Sequence, residues 1–162
     1  MLRPMLAALQ TLRSYLGLAL LAGLLWAAGH FLPMFNRVAP EHGYSDMNGV
    51  DPYSAVTCDN SLPPRAYRPG DLVAYRTETE GMGAVCFARV AGRPGQAISI
   101  VSGTLHVDGQ AQAQFHLPQH TPDLAPVPVP EGHLWVVSDY NEFDSFRFGP
   151  IPAALLHGRT AG

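Results

Sequence analysis

The chain has 162 residues, 47% of them hydrophobic, which allows one domain with a buried core plus a short appendage. Its formal net charge is −3, and its ten basic residues are all arginine, scattered rather than clustered, so the basic face that nucleic-acid binding needs is missing. There is no lysine.

Residues 1–13 carry Arg3 and Arg13 and form a short lead on the cytoplasmic side. From Ser14 to Asn36 no side chain is charged and Leu and Ala dominate. A transmembrane helix is therefore predicted over 14–36, with membrane lipid as its partner across roughly 30 Å of hydrocarbon. A cleavable signal peptide competes with this reading. Its apolar core runs to about 7–15 residues and ends at small residues, whereas this run ends in Pro33, Met34 and Phe35. Arginine precedes the span, while Glu41, Asp46 and Asp51 follow it beside Arg37. The positive side stays inside, which places the C-terminal part outside the cytoplasmic (inner) membrane as a single-pass protein, periplasmic where the host has a periplasm. His30 lies within the span and is given no role.

Residues 37–56 are polar, contain glycine and show no periodicity, and read as a linker. From 57 to 162 the pattern is mainly β. Short apolar runs at 71–75, 84–90, 97–101, 104–109 and 133–138 are separated by Gly and Pro, which predicts an antiparallel β domain. Asp108-Gly109 reads as a tight hairpin turn. The stretch 117–132 contains five prolines and cannot be a central strand, because proline lacks the ladder donor; an extended excursion over the surface is expected. The seven histidines form no metal pattern: His116 and His120 have helical spacing, but Pro118 lies between them. No metal and no cofactor is expected.

Four blocks occur in order: SLPPRAY (61–67), RPGDLVAY (68–75), FARVAGRPGQAISI (87–100) and SDYNEFDSFRFGPIP (138–152). Each resembles a block of the type I signal peptidases, and the first and last lean toward the conjugative-transfer branch that processes pilins. The resemblance covers about residues 57–160 and implies a signal-peptidase-like fold. It puts Ser61 at the nucleophile position, with Pro63 and Tyr67 at the spacing that follows it. Gly70 and Asp71 match the Gly-Asp pair that opens a strand, and Arg89, Val90, Pro94 and Gly95 match the third block. Asp144, Ser145, Phe148, Gly149 and Pro150 match the last, although the expected Arg-Tyr reads Phe146-Arg147. Asp71, Arg89, Asp139, Asp144 and Ser145 take scaffold roles on this reading.

The third block places Ala88 where the family's general-base lysine belongs. A serine hydroxyl is a poor nucleophile until a neighbouring base takes its proton, and lysine serves when burial lowers its pKa. Alanine accepts no proton. In a serine peptidase, loss of one member of the nucleophile–base unit costs on the order of 10⁶ in kcat. The resemblance also puts Asp59 at the oxyanion-donor position, where a carboxylate can only accept hydrogen bonds, and Glu142 at the base-orienting position. Base, orienter and oxyanion donor are all altered.

Cys58 and Cys86 sit close in sequence to Ser61 and Ala88, so a disulfide between them and two separately buried thiols are both open. The expectation is a membrane-anchored, catalytically impaired member of the family. It would hold an extended peptide such as a signal peptide, a pilin, a precursor or an active peptidase in a secretion or conjugation apparatus, because strand pairing in a groove needs no base. The alternative is an active serine endopeptidase that processes precursors, with another base in use or with Ala88 an engineered replacement of lysine.

Overall fold

The structure is a computed structural model that describes residues 15–28, 35–38, 50, 55–79, 82–117, 121–139 and 144–160. The chain divides into two compact units, Met1–Phe35 and Asn36–Gly162.

In the first unit, helix α1 spans 15–28. Leu16, Leu18, Leu21, Leu24, Leu25 and Trp26, spread around its whole circumference, are exposed. At 1.5 Å per residue the described part of this helix is about 21 Å long, less than a bilayer's hydrocarbon core. Among the described residues no helix is long and apolar enough to cross a membrane. The span expected over 14–36 is corrected accordingly: the helix is described only from 15 to 28, and Ser14, His30, Pro33 and Met34 lie outside the described residues, as do residues 1–13 and most of the 37–56 linker.

The second unit is built from two antiparallel sheets. The larger runs in the order β1 (Phe35–Val38), β2 (Val56–Asp59), β11 (Leu156–Thr160), β3 (Leu72–Thr79), β4 (Met82–Gly92), β9 (His133–Val137), β10 (Ile151–Pro152). The smaller runs β7 (Gln110–Ala111), β6 (Thr104–Val107), β5 (Ala97–Val101), β8 (Leu124–Pro128). A four-residue helix, α2 (Ser145–Phe148), follows β9. The mainly β, antiparallel class read from the sequence is the class observed.

Alternation explains the packing, because successive side chains of a strand leave on opposite faces. Val73 and Tyr75 of β3 join Cys86, Ala88 and Val90 of β4 in one cluster with Tyr67, Leu134, Val136 and Ile151. The residues between them, Ala74 and Phe87, form a second cluster on the other face with Cys58 and Val50. β9 feeds two cores: Leu134 and Val136 enter the first, while Trp135 and Val137 pack with Ile98, Ile100, Leu105 and Val107 of the smaller sheet. Where β4 leaves for that sheet its register with β9 shifts between Val90 and Gly92. A Cβ at Gly92 would stand 2.5 Å from Ile98 Cδ1, so glycine allows the strands to close there.

The Asp108-Gly109 turn forms as expected: both residues have positive φ, 51° and 77°, and join β6 to β7 with Val107 opposite Gln110. The proline-rich stretch departs in part from a surface excursion, because Leu124–Pro128 pairs with β5 as an edge strand. Prolines are tolerated on an edge, since their missing N–H faces away from the ladder.

Candidate functional site

Ser61 stands two residues beyond the end of β2, and its position is set by how β2 lies against β11. Asp59 pairs with Arg159 and Cys58 with Thr160. Gly158 (φ 122°) makes the close approach possible, since a Cβ there would fall 2.2 Å from the Asp59 carbonyl oxygen. The chain then turns outward. Pro63 begins a single 3₁₀ turn over Pro64–Ala66, closed by Ala66 N–H donating to the Pro63 carbonyl at 2.8 Å. Tyr67 returns the chain to the interior with 1% exposure, and Leu62 packs against the same cluster.

Ser61 itself is exposed. Its Oγ–H donates to Asp59 Oδ1 at 2.6 Å, and its backbone N–H donates to the same oxygen at 2.9 Å. The Ser61 hydroxyl, then its backbone N–H and at longer range Arg159, hold the Asp59 carboxyl below the usual carboxylate range. From the sequence, Asp59 was expected only to oppose an oxyanion; its grip on Ser61 was missed. The Asp-x-Ser spacing, which favours local side-chain to backbone bonds, was the available signal.

Ala88 lies on β4 opposite Val73, with no exposure, inside the cluster that contains Tyr67, Tyr75, Val90 and Leu134. The side chain offers nothing to accept a proton, and the wall it belongs to is mostly aliphatic and aromatic. Arg89, its neighbour, points to the other face, where its Nη1 reaches the Gly70 carbonyl at 3.5 Å, at the outer limit of a hydrogen bond. Glu142, placed by the resemblance at the base-orienting position, lies outside the described residues.

The remaining block residues hold these strands together. Gly70 (φ 90°) donates to the Val90 carbonyl and Val90 donates to the Asp71 carbonyl, each at 2.8 Å, which pins the start of β3 to β4 two residues past Ala88. The Asp71 carboxylate accepts from Arg68 N–H at 2.8 Å and lies 3.7 Å from Arg159. Asp144 is fully buried and caps α2, accepting from Phe146 N–H at 2.9 Å and from Ser138 N–H at 3.3 Å. Ser145 Oγ accepts from Val136 N–H at 2.8 Å, tying α2 to β9. Asp139 is half-buried at the end of that strand.

Cys58 and Cys86 are both buried thiols, and the disulfide left open by the sequence is not formed. Cys58 faces Ala74 and Phe87, whereas Cys86 faces Tyr75 and Ala88 on the opposite side of the sheet, with β11 and β3 between their strands. Burial pushes the Cys58 thiol up to about 11. Burial, followed by the charge of Asp59, also raises Tyr67.

The family model described as "Signal peptidase, peptidase S26" matches residues 36–161. Among curated proteins, the chain is 29% identical over 127 residues to mitochondrial ATP-independent inner membrane protease subunit 1b of Arabidopsis thaliana, covering 76% of this chain and 66% of that one. It is 49% identical over 37 residues to mitochondrial inner membrane protease subunit 2 of Danio rerio, a match spanning 20% of that protein. Among solved structures, a signal peptidase I from Enterococcus faecalis V583 aligns at 22% identity and a TM-score of 0.46, covering 58% of this chain and 96% of that one.

Proposed function

This chain belongs to the signal peptidase family, peptidase S26, and we propose that within it the protein is a noncatalytic, membrane-associated binder of extended precursor or pilin-like chains. The observation that carries this reading is Ala88, fully buried in an apolar cluster, which the sequence resemblance aligns with the family's proton-accepting lysine. Nothing at that position can take the Ser61 proton. The hydroxyl is instead held by Asp59, whose lowered pKa makes it a weak base, and a carboxylate at that place opposes an oxyanion. Binding needs neither. An extended chain can lie along the segment after β2 and pair with strand edges, taking its affinity from backbone hydrogen bonds.

Membrane association is supported by α1, whose apolar residues face outward on every side, and by relatives named as inner membrane proteases. Those relatives are also named as subunits, which supports an active peptidase as a further partner in a secretion or conjugation apparatus. A second reading has one specific observation in its favour: the 2.6 Å hydrogen bond from Ser61 Oγ sets a carboxylate where a proton acceptor would stand. On that reading the protein is a slow serine endopeptidase with Asp59 as its base.

The binding function is tested with a fluorescent precursor-derived peptide and the full chain in detergent. Ser61→Ala should leave affinity unchanged, while Ser61→Trp, which fills the site, should weaken it about tenfold or more. Equal binding by all three proteins would place the binding surface elsewhere.

A further inference from the structure

A cleft of about 300 Å³ lies where the Ser61 segment meets the turn between β4 and β5, lined by Arg65, Arg93, Pro94 and Gln96. Two of its four lining side chains are cationic. Arg65 is paired with Glu131 in a two-point contact through Nε and Nη2, but both side chains are largely exposed, at 73% and 68%. Such a pair is screened by water and easily exchanged.

Arg93 is in a different position. It is half-buried, and among the described residues its guanidinium forms no ion pair or hydrogen bond; Nε is buried without a protein acceptor. A buried donor left without an acceptor is unfavourable, so the site gains when one arrives. The neighbouring polar groups are engaged elsewhere. Gln96 Oε1 accepts from Arg93 backbone N–H at 3.0 Å, and Gln96 Nε2 donates to Asp108 Oδ2 at 3.1 Å. Asp108 Oδ1 accepts from Ala97 N–H at 2.8 Å. The turn is also fixed: Gly95 N–H donates to the Val129 carbonyl at 2.9 Å and Val129 N–H donates to the Gln96 carbonyl at 2.8 Å. Arg93 is thus presented by a rigid frame with its guanidinium unpaired among the described residues, and a guanidinium is donor only.

We propose that this cleft is a carboxylate subsite for an acidic side chain of the bound chain, with Arg93 as its anchor and Arg65 as a second donor released from Glu131. The planar fork of a guanidinium matches a carboxylate through two parallel hydrogen bonds. Glu131 already makes that contact with Arg65 from within the protein. The proposal rests on the reading that an extended chain lies beside Ser61, and it names what that chain must carry: Asp or Glu at the position that reaches the β4–β5 turn.

The test uses the full chain in detergent, labelled at arginine nitrogen, with two kinds of probe. Acetate and inorganic phosphate are titrated while the Arg93 Nε–H resonance, assigned by its loss in Arg93→Gln, is followed. In parallel, extended peptides with Glu or Gln scanned along their length are compared by anisotropy. Acetate should move the resonance saturably, and Glu at one position should tighten binding about tenfold over Gln. Arg93→Gln should erase that ratio, and Glu131→Gln should raise it by freeing Arg65. A resonance that acetate leaves unmoved, or equal affinities for Glu and Gln at every position, overturns the subsite. Saturation by phosphate with no gain from Glu also overturns it, in favour of a free phosphate site. If neither peptide binds at all, the proposed function has failed, and the acetate titration alone decides the cleft.

Discussion

Ser61 and Asp59 form a closed local pair, in which one carboxylate oxygen of Asp59 accepts both the hydroxyl and the backbone N–H of Ser61. The serine that follows β2 is therefore oriented by a residue of its own strand, whereas Ala88, across β11 and β3, contributes only apolar surface.

The pair sets a pH dependence. Because the Ser61 hydroxyl holds Asp59 below its ordinary value of 3.8, the contact favours the folded state above that value and is lost as pH falls through the lower, folded one. Carboxyl-carbon NMR should show Asp59 titrating below 3.8 in the wild type and moving back up in Ser61→Ala. An unchanged Asp59 in the variant would mean that the hydrogen bond does not persist in solution.

On the proposed reading, lysine at position 88 should not rescue catalysis alone. Ala88→Lys forces a long cation into a closed apolar cluster, a change that costs about 1–3 kcal/mol through overpacking and more if the charge is retained. Urea unfolding should shift to a lower midpoint, with little Ser61-dependent cleavage gained, since the Asp59 carboxylate still holds the Ser61 hydroxyl. Strong recovery would favour the endopeptidase reading and a site built around lysine.

Ser145 and Asp144 should behave as scaffold. Ser145→Ala leaves the buried Val136 N–H without its acceptor, for a loss of about 1–3 kcal/mol. Asp144→Ala removes the α2 cap as well as the contact to Ser138, with a cap alone worth about 0.5–2 kcal/mol. Equilibrium denaturation measures both; stabilities within about 0.5 kcal/mol of wild type would show that α2 is not held through these bonds.

Cys58 should be inert toward iodoacetamide near neutral pH, because its thiol is pushed up to about 11. The thiol binds its proton more tightly when folded, so its contribution is whole below the ordinary thiol value of 9.0 and is lost as pH rises through about 11. Mass spectrometry should find no bridge before reduction, and rapid native labelling of Cys58 would contradict its placement between Ala74 and Phe87.

What could be read in advance followed locality. The Asp108-Gly109 turn was legible because two adjacent residues decide it, and the short apolar runs at 71–75 and 84–90 marked β3 and β4 as strands without saying which of their residues share a face. The cysteines show where such reading stops. Proximity to Ser61 and Ala88 says that their segments are near, but facing depends on strand register, and one position separates Cys86 from Phe87, which shares a cluster with Cys58. The Arg65–Glu131 contact joins residues 66 apart in the chain and has no local signature. The order of the four blocks pointed to the family, whereas the contact between Asp59 and Ser61 became visible only with coordinates.

The most direct test of a binder without catalysis is the initial rate at which the purified full chain cleaves a precursor peptide, measured beside Ser61→Ala at the same concentration. The two rates should be indistinguishable. A wild-type rate clearly above that of Ser61→Ala, and abolished further by Asp59→Asn, would contradict the account and identify an enzyme that uses Asp59 as its base.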